Sequence, residues 1–138
     1  MAGQSAMITG FCYGGLSLAD PTDGDKWTNM ISFGFLSTTS AAMGFGLLTI
    51  VIASLCGMLG PGLALRGQDG ANSMHKAVDL MKAESINCFY FFISQLLFFH
   101  ISSFLLMWLL YTAQVALVVS MVLLVFLIIF IINGIDIV

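Results

Sequence analysis

Between Glu84 and Asp136 the chain carries no Asp, Glu, Lys or Arg and consists largely of Phe, Leu, Ile, Val and Met. About fifty residues of helix would run about 75 Å, more than twice the roughly 30 Å hydrocarbon core of a bilayer. A segment that long must cross, turn and cross back. The expected fold class is therefore all-α, a polytopic transmembrane helical protein with short loops.

Composition agrees with that reading. Of 138 residues, 59% are hydrophobic and 8% charged, and the mean hydropathy is +1.04. Four Lys and Arg with seven Asp and Glu cannot cover a soluble domain of this length, and they form no basic patch for nucleic acid. Cys12, Cys56 and Cys88 stand singly in apolar stretches, which marks buried small residues rather than a disulfide framework or a metal set. Met1 to Ser5 has no Lys or Arg, so insertion is expected to use internal signals or to follow removal of a presequence.

The sequence predicts a single domain over residues 1–138 with four crossings, at about residues 2–19, 27–59, 85–111 and 113–132. The first is short and contains Gly10-x-x-x-Gly14, a small-residue seam that permits close helix approach. Asp20-Pro21-Thr22-Asp23-Gly24-Asp25 ends it. The second begins at Trp27, an interfacial residue, and repeats the small-residue pattern at Ser40-x-x-x-Gly44 and Ala42-x-x-x-Gly46. Gly60-Pro61-Gly62 is expected to break it. Arg66 to Glu84 then forms the main polar connection, in which Met74, Ala77 or Val78, and Met81 recur at helical spacing as an amphipathic lead. The third crossing is aromatic-rich and closes at Trp108 and Tyr111; the fourth is apolar on every face and reads as lipid-exposed. Arg66, Lys76 and Lys82 lie in the second loop against Lys26 alone in the first, which orients both termini and the second loop to the cytoplasmic-equivalent side.

Few residues carry chemistry. His100 falls near the middle of the third crossing, where an ionisable side chain is costly without a partner. Its imidazole could ligate a chlorophyll magnesium or a haem iron, relay a proton, or bond a neighbouring helix through Ser or Thr. Chlorophyll or lipid are the molecules such a helix could hold. Cys88, Gln95 and Ser102, seven residues apart, share one face and suit interhelical hydrogen bonds. Asp20, Asp23 and Asp25 could gather a divalent cation, although the later ligands of a calcium loop are missing. No nucleophile–base pair, HExxH or phosphate-binding loop occurs, so no enzyme is expected.

The arrangement resembles the Orai calcium-channel family. Ser5-Ala6-Met7-Ile8-Thr9-Gly10-Phe11 is similar to that family's Ser-Ala-Leu-Leu-Ser-Gly-Phe at the start of its pore helix, and the four-helix order is similar along the whole chain. The resemblance implies a pore axis lined by Gly10, Phe11, Gly14 and Leu18, with Asp20 at the mouth. The chain departs from the family where selectivity and gating reside. Leu18 stands where the family has its selecting Glu, and neither the basic extension before the first helix nor the long C-terminal helix is found.

Two functions follow as expectations. One is a non-catalytic accessory subunit of a large complex in an energy-transducing membrane (thylakoid or organellar inner membrane), within a photosystem or a respiratory or ATP synthase assembly. Its partners would be the lipid bilayer and other transmembrane subunits. The other is a small homo-oligomeric cation channel or transporter of Orai-like architecture, with the plasma membrane as an alternative location.

Overall fold

A computed structural model describes residues 1–18, 26–66 and 71–137. They form four helices: α1 (Ala2–Leu16), α2 (Lys26–Arg66), α3 (Ala71–Leu110) and α4 (Ala113–Ile137). Three stretches are long and apolar enough to cross a membrane, Thr28–Leu59 in α2, Val78–Leu110 in α3 and Ala113–Ile132 in α4. The chain is a helical integral membrane protein. α1 has 15 residues, about 22 Å of helix, less than a full hydrocarbon crossing.

Two boundaries differ from the sequence expectation for a common reason. α2 runs through Pro61 to Arg66, and α3 begins at Ala71 rather than near residue 85. Pro61 removes one backbone donor, that which would reach the Gly57 carbonyl, but a helix already propagated through many turns tolerates that loss. The polar stretch before Glu84 has no Pro, and residues such as Met, Ala, Lys and Glu are good helix formers. The amphipathic lead read before Glu84 is thus continuous with α3, which starts at Ala71.

Contacts set the register. Ser5 lies by Gly46 and Gly15 by Phe35, so α1 is antiparallel to α2. Gly34 meets Leu105, Thr39 meets Ser102 and Cys88 meets the Thr49 carbonyl, so α2 and α3 form an antiparallel hairpin. His100 stacks on Phe130, and Tyr111 and Thr112 turn the chain between α3 and α4. Among the described residues α4 packs against α3 alone.

Gly46 is at the midpoint of α2, and α1 runs from there toward the Lys26 end. α4 runs back along the Leu110 end of α3. Both short elements thus flank the same half of the α2–α3 hairpin. On the other half, Val51, Leu55, Met58, Val78, Leu80 and Met81 are exposed.

The interior is small and hydroxyl-rich. Cys12, Phe35, Ala42, Cys88 and Ala116 are buried with Ser5, Ser32, Thr39, Thr49, Gln95, Ser102 and Ser120, while the large aliphatic side chains point outward. That inversion follows from the solvent. Lipid tails are as apolar as Leu, so helices gain little by burying Leu and associate through small and hydrogen-bonding residues. Phe45 adds an aromatic wedge, stacked on Phe98 at 5.4 Å and on Phe91 at 6.2 Å between ring centroids.

Candidate functional site: a buried polar layer and a histidine groove

On α1, Ser5, Thr9 and Cys12 recur at four and three residues and share one helix face. That face meets α2 where Ala42 and Gly46 leave room for it. A methyl group on Gly46 would run into Thr9 Oγ1 and Gln95 Nε2, so only glycine admits both side chains.

The Ser5 hydroxyl shares its proton between Gln95 Oε1 at 2.5 Å and the Gly46 carbonyl at 3.0 Å. Gln95 Nε2 uses its two N–H groups on the Ser5 carbonyl and Thr9 Oγ1, each at 3.1 Å. Thr9 in turn donates to the Ser5 carbonyl at 2.8 Å. Every side-chain donor and acceptor in this layer is engaged, as burial in a water-free interior requires. A second rung joins α2 to α3, where the Thr39 and Ser102 hydroxyls are 2.6 Å apart. Two buried hydroxyls, Ser32 and Ser120, have no partner among the described residues.

The hydrogen-bonding capacity of these side chains is spent inside the layer. Its chemistry is cohesion: Gln95 ties α1 to the central part of α3, and Ser5 ties α1 to α2.

His100 lies elsewhere. It projects from α3 toward α4, and its Nδ1 is 2.8 Å from the Leu96 carbonyl one turn back in its own helix, not from a neighbouring helix. With Ile101, Phe104, Leu123, Leu124 and Leu127 it lines an apolar groove of about 130 Å³.

The small-residue seams divide. Ala42 and Gly46 face inward and are buried. Gly10, Gly14, Ser40 and Gly44 face outward, and nothing lies within 4 Å of a Cβ built on any of the three glycines. At 100° per residue, Gly10, Phe11 and Gly14 fall within an arc of about 100°, and Leu18 lies in the turn beyond the end of α1. That arc is opposite Ser5 and Cys12, and all four residues are exposed. Asp20, Asp23 and Asp25 lie outside the described residues, and among the described residues no cluster of His, Cys, Asp and Glu could hold a metal ion. The three cysteines are free thiols.

The sequence reading did not single out Ser5, Thr9 and Thr39 as buried hydrogen-bonding partners. The 5–9–12 spacing on α1 was the available signal; for Thr39 it was the position three residues before Ala42 and seven before Gly46, on the face of that seam.

No family model matches the chain, and no curated protein or solved structure matches it.

Proposed function

We propose that this chain is a non-catalytic subunit of a larger membrane assembly, docked to other transmembrane helices through the outward face of α1. The observation that carries this reading is the division of the small-residue seams. The Ala42–Gly46 seam is consumed inside the chain, whereas Gly10 and Gly14 present an equivalent seam to the outside with nothing covering it. Small residues at four-residue spacing let helix backbones approach closely, and in lipid that approach is a main source of association. The chain's own polar layer is already satisfied, which supports a structural rather than a transporting role. Minimal connections and an apolar surface suit an energy-transducing membrane, with a photosystem, respiratory or ATP synthase complex as host.

A second reading rests on the same face. Gly10, Phe11 and Gly14 form one outward stripe on α1, which would suit a homo-oligomer closed around α1 as in an Orai-like channel. The occupant of the face separates the two. With Cys12, Cys56 and Cys88 replaced by Ala, a Gly14→Cys variant is oxidised in its native membrane. Cross-linking to a different protein supports the subunit reading, and cross-linking between copies supports the channel. A chain that stays uncross-linked and migrates as a monomer in mild detergent overturns both.

A further inference from the structure

We propose that the half of the α2–α3 hairpin beyond α1 is a second helix seat, which receives a partner subunit's helix with a small-residue face and an Arg or Lys directed at Glu84. The helix comes from another chain, which presupposes the subunit reading and names the chemistry of one contact.

The seat repeats the one that α1 occupies. In α2, Ala42-x-x-x-Gly46 recurs eleven residues on as Ala53-x-x-x-Gly57. In α3, Glu84 precedes Gln95 by the same eleven residues. Eleven residues make three helical turns to within about 20°, so each member of the second set takes the face of its counterpart, about 16 Å farther along. The register agrees. Counting from the Cys88–Thr49 contact sets Glu84 level with Ala53, and counting from Gln95 beside Gly46 sets it level with Gly57. The first seat is full, since a Cβ on Gly46 would run into Thr9 and Gln95. At the second, nothing lies within 4 Å of a Cβ on Gly57, Ala53 is half-buried and Glu84 is exposed. The open seat continues an interface that the chain already uses.

Depth explains why this surface needs cover. The apolar stretch Thr28–Leu59 has 32 residues, about 48 Å of helix against a roughly 30 Å hydrocarbon core. Fitting it by tilt alone would take about 50°, beyond the range of roughly 0–40° that crossing helices adopt. α3 decides which end overhangs. By the same register Lys82 is level with Leu55 to Leu59, and its ammonium belongs in water. Met58 and Leu59, 78% and 56% exposed, leave the hydrocarbon with it. Apolar side chains outside lipid are covered by protein or pay for contact with water.

Charge selects the occupant. Gln95 both accepts from Ser5 and donates to Thr9, whereas a carboxylate only accepts. Glu84 therefore needs donors from the seated helix, and a cationic donor is the strongest. Among the described residues Glu84 has no hydrogen bond or ion pair. Arg66 to Glu84 contains three cations (Arg66, Lys76, Lys82) and three anions (Asp69, Asp79, Glu84), so this end has no net charge to draw it onto an anionic lipid surface.

The full chain in mild detergent would be titrated with two synthetic helices. Both carry Ala and Ser at four-residue spacing on one face; one has an Arg beside that face, the other a Glu. Saturable binding of the Arg helix alone is expected. Glu84→Gln should weaken it roughly 10-fold, and Glu84→Lys should reverse the preference so that the Glu helix binds. Gly57→Leu should abolish binding without lowering stability, because it fills open space. No saturable binding, equal affinity for the two helices, or an unreversed preference in Glu84→Lys would overturn the proposal. So would disulfide formation between copies of a Gly57→Cys chain with Cys12, Cys56 and Cys88 replaced by Ala, since a second copy would then fill the seat. The Gly14→Cys cross-link reports on α1 alone. A chain that fails there yet binds the Arg helix loses the α1 face and keeps the seat; one that cross-links there and binds neither helix loses only the seat.

Discussion

The two helices that flank the α2–α3 hairpin are held to it in different ways. α1 is barely 15 residues long, yet it is tied to both α2 and α3 by Ser5, Thr9 and Gln95 and seated over a glycine that nothing else could replace. α4 is longer and far more hydrophobic, yet among the described residues it packs on α3 alone and buries only Ala116 and Ser120. In water the more apolar helix would be the better anchored. In lipid the order reverses, because apolar surface has no reason to leave hydrocarbon, and small or hydrogen-bonding residues set the contacts.

The contrast can be broken most directly at Gly46. Gly46→Leu should displace Gln95 and Thr9, combining overpacking with orphaned polar groups, and destabilise the folded state by about 2–4 kcal/mol. Reversible unfolding in mixed detergent micelles would measure it. A neutral result would mean that α1 is not seated where the register places it.

Gln95→Leu comes next. It removes three hydrogen bonds without adding volume at Gly46, and a loss of about 1–2 kcal/mol is expected. A double-mutant cycle with Ser5→Ala isolates the pair; a coupling energy of zero would show that the layer is incidental. The Thr39–Ser102 rung is a single bond, so Thr39→Val should cost about 0.6 kcal/mol, the usual size of one interhelical hydrogen bond in a membrane protein.

The smallest effect belongs to α4. Val118 is two-thirds exposed, and Val118→Ala should change stability by less than about 0.5 kcal/mol. Should Val118→Ala match Gln95→Leu in cost, the ranking of the two regions would be wrong, and α4 would have a protein partner on that face.

Much of this was legible residue by residue. The uncharged run after Glu84, with Trp108 and Tyr111 marking its turn, is sufficient to place the α3–α4 hairpin, since no other arrangement keeps so many apolar residues in lipid. The fourth crossing as read, residues 113–132, coincides with the apolar stretch of α4. The end of α2 was not legible. Gly60-Pro61-Gly62 reads as an interruption, but helix propagation from a long neighbouring segment outweighs local propensity. Of the candidate site, the spacing of Cys88, Gln95 and Ser102 indicates a common face; Cys88 and Ser102 meet α2, and Gln95 meets α1.

The sequence by itself determined the class of solvent, the helical architecture and the residues able to pack or ligate, because composition and periodicity are local properties that need no partner. Which seam is used was decided by the tertiary structure alone. Gly10–Gly14, Ser40–Gly44 and Ala42–Gly46 are equivalent as strings, and only the antiparallel register brings Gln95 against Gly46 and leaves the other two outside. His100 shows the same division. Its depth is written in the chain, whereas the Leu96 contact and the groove beside α4 exist only once α3 and α4 have packed. Distances between residues far apart in sequence depend on how helices rotate and slide on one another, and that information is held jointly by the elements rather than by any one of them.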